Sequence, residues 1–457
     1  MAFRHGVYKQ EVPTSVIAPS QGEAGLPVIV GTAPVFMGDS TCVNVPKLVH
    51  TYEEAVSIFG YSTDWENWTL CEFMYSQFVL YGQSPCVLVN VFDPAKHKEE
   101  VSGAEYASLN GSVNLGQNVI AADAQTLYYD DEGNAHIAAS QPISITKITK
   151  AKPSAVTASD IIGGYSVSTG RNTGLECVQD VYPKFRLIPG LIGAPKYSEI
   201  PEVAAVMRAK CENINGVFTC SCVVDIPASS TYTETSSWKT QHSYTSEREI
   251  VCWPKVSLGG KVYHLSTQLI GLMNSVDTRR GDIPYKSPSN ELMQIDSCVN
   301  ASGEEVMMTL EQANYLNSQG IMTVLNWTGG WRSWGNRTGA YPNSTDVKDV
   351  FISVRRMMDY LSNTFVTTFW QKTDQPMTLR LIRTIVNTFN LYINSLVAIE
   401  ALLGGRVEFR EDENAYTDLL NGILKFHVFI TPPVPAEVIE GVFEYDPEYL
   451  STLYEAI

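Results

Sequence analysis

Buried strands and amphipathic helices alternate along the first part of this chain, and this alternation constrains the fold more than any other feature. An apolar strand is predicted at Val28–Pro34, and Thr51–Gly60 has the N-cap, acidic first turn and terminal glycine of a helix. A longer helix at Trp68–Tyr81 leads into a strand at Cys86–Phe92. This β-α-β order predicts an α/β core domain.

The alternation is interrupted over residues 94–174, which are rich in Gly, Ser, Asn and Thr. A hairpin that turns at Asp131–Asn134 and a strand at Pro142–Ile148 predict a small, protruding all-β insertion. The core pattern then resumes, and its next elements are a strand at Phe185–Pro189, a helix at Pro201–Cys211 and a strand through Cys220 that ends at Asp225. We therefore predict a discontinuous core domain, residues 21–93 and 175–340.

The last part of the chain, residues 341–457, has a different pattern. Two long amphipathic helices are predicted at Val347–Phe365 and Thr378–Leu403, the second of them ended by Gly404-Gly405. The strands of a small sheet are expected at Arg406–Arg410, Ile423–Ile430 and Gly441–Tyr445. The fold class is thus α+β / α/β multidomain, with a C-terminal two-helix plus small-sheet domain and an arm from about residue 440.

Residues 1–20 form a separate N-terminal arm in this interpretation. Its segment His5–Val12, closed by Pro13, is predicted to be a strand with no partner of its own nearby in the sequence. Every backbone N–H and C=O group of a strand needs a partner. The strand therefore either folds back onto its own domain or pairs with the sheet of a neighbouring molecule.

Composition narrows the possible functions. The chain carries 49 acidic and 32 basic residues, a formal charge of −17, which argues against direct nucleic-acid binding. No stretch approaches the roughly 20 apolar residues of a membrane-spanning helix, so no membrane insertion is expected. The first residues lack the apolar run of a secretory signal, and cytosolic synthesis and residence follow as an expectation.

Motifs for catalysis are missing from the sequence: it has no P-loop, no G-x-G-x-x-G after a strand and no G-x-S-x-G. His427 lies in an apolar strand and is interpreted as a hydrogen-bonded structural residue. Cys220 and Cys222 share one face of a strand, and we interpret them as buried free thiols and not as a metal site. We expect no catalytic, cofactor-binding or metal-binding residue and no enzymatic activity; an α/β enzyme with a β insertion is the alternative.

The segment Asn326–Thr338 combines three Trp with two Arg and is the most unusual local sequence. Stacked rings and guanidinium groups could bind a ligand. The interpretation we favour is a glycine-rich loop whose indoles fill a domain junction and whose arginines bond carbonyls or carboxylates.

Four segments, in this order, resemble the contractile tail sheath family of bacteriophages, which includes the sheaths of phage-tail-like bacteriocins and related injection machines. They are His5–Val12, Val30–Pro34, Trp331–Thr338 and Thr431–Ile439. The resemblance spans nearly the whole chain, and its order and spacing carry more weight than any one segment.

The resemblance implies that an N-terminal arm and a C-terminal segment cross to neighbouring subunits and complete a small sheet there. The implied site residues fall into three groups. The N-terminal arm contributes Gly6, Val7, Tyr8, Gln10 and Val12; the C-terminal segment contributes Val442, Phe443, Tyr445, Tyr449 and Leu450; the signature loop contributes Trp331, Trp334, Gly335, Asn336, Arg337 and Thr338. Residues 341–457 are then an assembly domain that also faces the inner tube.

The implied function is that of a virion structural protein, which polymerises helically around an inner tube and contracts to drive the tube through a target envelope, as in genome ejection. The implied partners are further copies of the chain, the inner tail tube protein, and baseplate and tail terminator proteins. The implied location is a virion tail or tail-like particle, with the host cytoplasm during assembly. Another tail or baseplate structural protein is a second alternative.

Overall fold

An eight-stranded sheet, the central sheet, organises the protein in the computed structural model, which describes residues 25–453. Six parallel strands form its interior, and one antiparallel strand lies at each edge. In spatial order the strands are Lys47–Val49, Cys86–Asn90, Pro27–Gly31, Leu191–Gly193, Ser221–Asp225, Glu249–Cys252, Ile321–Trp327 and Gly330–Trp334. The predicted strands at 28–34, at 86–92 and before Asp225 are confirmed.

The strand predicted at Phe185–Pro189 is wrong. Residues Val178–Phe185 form a helix despite the internal Pro183, and the strand of the central sheet is Leu191–Gly193. Arg186 ends the helix in the left-handed region, at φ 62°. The apolar Leu187 and Ile188 therefore belong to the connection between helix and strand.

Helices cover the central sheet, as the periodicity predicts. Thr51 caps the first of them, because its Oγ1 accepts a hydrogen bond from the Glu54 N–H at 3.1 Å. The predicted helix at 68–81 is confirmed in extent, but its second half, Tyr75–Leu80, is a π-helix. The α-helices that accompany the sheet are Tyr52–Phe59, Thr69–Met74, Val178–Phe185, Pro201–Glu212, Thr235–Gln241, Leu265–Thr278 and Leu310–Ser318.

Residues 98–173 consist mainly of short strands outside the central sheet. The hairpin predicted around Asp131–Asn134 is confirmed, because Tyr128 pairs with His136. The strands are Lys98–Ser102, Glu105–Tyr106, Ser112–Gln117, Val119–Ala122, Tyr128–Tyr129, Asn134–Ala138, Ile143–Ser144, Lys147–Ala151, Gly164–Ser166 and Arg171–Thr173. The helix Ala158–Ile162 comes before the last two of these strands. A separate three-stranded sheet pairs Lys255–Leu258 with Lys261–Tyr263 and Ser297–Val299.

Two long helices, Ile352–Phe369 and Leu379–Ala398, follow the short helix Val347–Val350 and carry a second apolar core. Beside them lies the C-terminal two-stranded sheet, Gly404–Glu408 paired with His427–Thr431. The short helix Tyr416–Leu420 lies in the connection between these two strands. The chain beyond Thr431 adds no strand among the described residues.

Two details of this part differ from the prediction. The second long helix ends at Ala398, and Gly404-Gly405 begin a strand instead of stopping a helix. A Cβ on Gly405 would lie 2.6 Å from the Phe429 carbonyl oxygen and 3.0 Å from Ile393, so this glycine permits close packing of strand on helix. The strand predicted at Gly441–Tyr445 is also wrong for this single chain, since that segment has no regular structure.

Buried ion pairs join the helix Ile352–Phe369 to the central-sheet region. Arg356 donates to Asp277, and both side chains are at most 4% exposed. Asp359 accepts from Arg248 at 3.0 Å and from Arg355 at 2.8 Å. A charge that is buried with its partner is costly to separate, so these contacts favour movement of the helix together with the sheet.

Candidate assembly site

The C-terminal arm, defined as residues 438–453, leaves apolar side chains in water. Val442 is 93% exposed, Phe443 98% and Tyr445 78%. Its final part, Pro447–Leu453, is a 3-10 helix that contains Tyr449 and Leu450, both exposed. Burial of apolar surface contributes about 25 cal/mol per Å², so a second surface that covered these rings would bind them favourably.

One edge of the C-terminal two-stranded sheet is closed by a side chain. Asn390, on the helix Leu379–Ala398, accepts a hydrogen bond from the Val407 N–H at 2.9 Å and donates to the Val407 carbonyl oxygen at 3.2 Å. The amide therefore occupies the position that a further strand would take beside Gly404–Glu408.

The opposite edge, His427–Thr431, is open among the described strands, because it pairs with Gly404–Glu408 alone. Residues facing each other in an antiparallel pair alternate between hydrogen-bonded and non-bonded pairs. Val407 bonds outward to Asn390, so its partner Val428 also directs its backbone groups away from the pair, as does Ile430. This edge can accept a strand from another chain.

Side chains stiffen the same sheet. His427 contacts Glu413 through Nδ1 at 2.7 Å and stacks on the Phe429 ring, which confirms the predicted hydrogen-bonded histidine. The Arg406 guanidinium lies over the Phe429 ring, 4.0 Å from its centroid. Its hydrogen bond to Glu408 lowers the pKa of that carboxyl.

The signature loop begins in an edge strand of the central sheet. Arg332 donates to the Asn290 carbonyl oxygen at 2.8 Å, and the Trp334 Nε1–H donates to Asn314 at 2.9 Å. Asn336 and Thr338 bond through their backbones to the segment that begins the helix Ile352–Phe369. The arginine bonds to backbone carbonyls agree with the structural role that the sequence favours for this segment.

Arg337 brings the signature loop to the Thr431–Ile439 segment. Its Nε donates to Glu437 at 2.7 Å, and Nη2 bonds the other carboxylate oxygen. The guanidinium also lies over the rings of Tyr341 and Phe351. Two of the four resembling segments, far apart in sequence, are thus joined by one ion pair.

The structure places the other predicted residues as follows. Val442, Phe443, Tyr445, Tyr449 and Leu450 are together in the C-terminal arm, whereas Trp331 and Trp334 lie half-buried in the signature loop. The N-terminal arm residues lie outside the described residues; they are Gly6, Val7, Tyr8, Gln10 and Val12.

The chain is similar to proteins of one family. It is 26% identical over 408 residues to the tail sheath protein of Burkholderia phage BcepMu, with 82% of this chain and 84% of the relative covered. It is 25% identical over 325 residues to the tail sheath protein of Escherichia phage P2, with 66% and 74% covered. No family model matches the chain.

The relatives found by sequence are thus tail sheath proteins of phages, in agreement with the resemblance seen in the sequence.

Solved structures agree with this similarity at the level of the fold. The chain has a TM-score of 0.63 with the contracted sheath complex of an extracellular contractile injection system, PVC, at 14% identity and with 98% and 99% of the two chains covered. Its TM-score with the contracted helical sheath of the anti-feeding prophage is 0.61, at 16% identity and with 98% and 100% covered.

Two contributors to the candidate assembly site were not predicted from the sequence. Asn390 is one polar residue within an amphipathic helix, and only the tertiary structure reveals that it closes a sheet edge. Glu437 lies within a segment that resembles the family, but the sequence offers no sign of its partner.

Other chemistry is sparse in the described part of this protein. The nine cysteines are buried and unpaired, and burial raises the pKa of the Cys71 thiol to about 12. Residues 25–453 hold no group of three or more His, Cys, Asp or Glu arranged for a metal ion. Among the same residues, no helix combines the length and apolar character required to cross a membrane.

Proposed function

We propose that this protein is the polymerising subunit of a contractile sheath, which assembles helically around an inner tube and drives it through a cell envelope on contraction. The observation that carries the proposal is that one chain has two complementary features. The C-terminal arm is apolar and exposed, and the edge His427–Thr431 can accept an added strand.

In this proposal, Gly441–Tyr445 becomes a strand when it is added to the open edge of another copy. The N-terminal arm, through Gly6–Val12, pairs in the same inter-subunit sheet. Backbone hydrogen bonds give such an added strand much of its affinity, and they tolerate changes in side-chain contacts around it. Head-to-tail contacts that do not close on themselves generate an open helix, which is the geometry of a sleeve.

In this proposal each part of the chain has its own role. Residues 21–93 and 175–340 act as the core domain, residues 94–174 protrude from it, and residues 341–457 assemble and face the tube. The buried pairs of Arg356 and Asp359 support rotation of core and helix as one body during contraction, while the arms stay attached. The tube, baseplate and tail terminator proteins are the proposed partners, and the role is structural, without catalysis.

The proposal is tested by electron microscopy of the purified full-length protein over a range of concentrations. We expect hollow, striated sleeves. A chain truncated after Glu440 loses residues whose described side chains are all exposed, so its melting temperature should stay unchanged while sleeves disappear. Proline at Val7 or Tyr8 should likewise block assembly, because it removes a backbone donor.

A matched pair of single substitutions separates the arm from general surface effects. Phe443→Ser and Val167→Ser each remove a highly exposed apolar side chain, the first from the arm and the second from the inserted β region. We expect loss of sleeves for Phe443→Ser alone. Normal sleeves from the truncated chain would overturn the proposed assembly, and rings or discs from the full-length protein would indicate another tail or baseplate component.

A further inference from the structure

The position of Arg337 is fixed by its surroundings. Its backbone forms an antiparallel bridge with Phe351, and the neighbouring Thr338 N–H donates to the Val350 carbonyl oxygen at 2.9 Å. The guanidinium lies 4.0 Å from the centroid of the Phe351 ring and 4.6 Å from that of Tyr341. The side chain is 18% exposed, so the body of the subunit presents a cation of fixed place and orientation.

Glu437 meets this cation with both carboxylate oxygens. Parallel bonds from Nε and Nη2 make a two-pronged pair, and such pairs define an orientation as well as a distance. Stacking on aromatic rings leaves the edge of the guanidinium available to the carboxylate. Glu437 is therefore held at one point on the body, although it lies in the long segment that follows the last strand.

The exposure of the chain changes around this point. Pro432 is buried and Pro433 and Pro435 are half-buried, whereas Val434 and Ala436 are exposed, so the segment before Glu437 contacts the body through its prolines. Proline fixes φ near −65°, which stiffens that segment. Every described side chain from Val438 to Leu450 is exposed.

We propose that the Arg337–Glu437 pair is an anchor that sets where, and in which direction, the C-terminal arm leaves the subunit. The inference rests on the proposed function, since it is the neighbouring copy that the arm must reach. The pair is a positioning device: neither residue contacts the next subunit in this account. A fixed exit point shortens the free part of the tether, which raises the effective concentration of Phe443 and Tyr445 at the neighbour's open edge.

The anchor is tested first in the unassembled protein by distance measurements between two spin labels. One label is placed at Glu311→Cys, an exposed position on the helix Leu310–Ser318, and the other at Val442→Cys in the arm. The native cysteines are buried and remain unlabelled. We expect Glu437→Ala to broaden the distance distribution, whereas the matched Glu440→Ala, which removes a nearby exposed acid, leaves it unchanged.

Arg337→Lys separates geometry from charge, because it keeps the cation but loses the two-pronged bond and the stacking. It should broaden the distribution as Glu437→Ala does, with the melting temperature as a control for folding. Equal widths in wild type, Glu437→Ala and Arg337→Lys would overturn the anchor.

Assembly provides the second readout. We expect Glu437→Ala to raise the lowest protein concentration that gives sleeves about fivefold, the change that corresponds to about 1 kcal/mol for a partly exposed pair. Glu440→Ala should not change that concentration. If the wild type forms no sleeves, the proposed function is contradicted, and the spin-label distances alone then test the anchor. If wild type and Glu437→Ala form sleeves at the same protein concentration, only the anchor is contradicted.

Discussion

At the scale of single residues, Gly335 shows how the signature loop depends on backbone shape. Its φ of 133° is one that residues with a side chain rarely adopt, and a Cβ there would lie 2.7 Å from Asn317 and 3.0 Å from the Met322 sulfur. We expect Gly335→Ala to lower the free energy of unfolding by about 2 kcal/mol, measured by urea denaturation.

Gly82→Ala is the matched control for this substitution, because Gly82 also has a positive φ, 61°, but its Cβ would contact nothing within 4 Å. We expect a smaller loss there. Equal losses at the two positions would show that backbone conformation alone, and not the contact with Asn317 and Met322, requires glycine in the loop.

Glu249 is a buried carboxyl that should make stability depend on pH. Burial raises its pKa to about 7 from the ordinary value of 4.5, and this outweighs the hydrogen bonds from Ser246 and Arg208. The folded state then binds the proton more tightly than the unfolded state. The contribution of this proton binding to the free energy of unfolding is fully present below pH 4.5 and is lost as the pH rises to about 7.

We therefore expect the free energy of unfolding to fall by about 1–3 kcal/mol over that pH range, measured by urea titrations at several pH values. In Glu249→Gln this part of the decline should vanish, because the amide does not titrate. A decline of the same size in the variant would assign the pH dependence to other groups.

At the scale of elements, the two edges of the C-terminal sheet should behave differently in hydrogen exchange. The Val407 amide bonds to Asn390 in the single chain, so it should be protected before and after assembly. The Val428 and Ile430 amides face outward from the open edge and should become protected only in sleeves. Fast exchange of both amides in sleeves would exclude strand addition at this edge.

Periodicity predicted most elements of the central sheet and the two long helices. It failed where tertiary packing decides: Val178–Phe185 is helical around Pro183, and Gly405 permits close packing of its strand against Ile393. The strand predicted at Gly441–Tyr445 has the right composition but no partner within the described chain. Its strand structure stays a prediction for the assembled state.

Like the fold, the candidate assembly site was predictable from the sequence only in part. The exposed apolar arm and the signature loop are recognisable from residue types alone. Asn390 and the partner of Arg337 are not, because each acts through a contact between residues distant in sequence that no local pattern encodes.

At the scale of the whole molecule, the buried pair of Asp277 and Arg356 should hold the central-sheet region and the helix Ile352–Phe369 together. We expect Asp277→Asn to reduce the free energy of unfolding by about 3–5 kcal/mol, because it removes the carboxylate charge that pairs with the buried Arg356 guanidinium. Glu100→Gln, which breaks an exposed pair with Lys147, should cost less than about 1 kcal/mol. Similar small losses in both variants would remove the support for rotation as one body.

The central claim is that copies of this chain join through strands added to an open sheet edge. Cryo-electron microscopy of sleeves from the full-length protein tests it most directly. The account predicts that the C-terminal two-stranded sheet is extended at His427–Thr431 by strands from other copies, with Gly441–Tyr445 among them. Sleeves in which that edge carries no strand from another copy would contradict it.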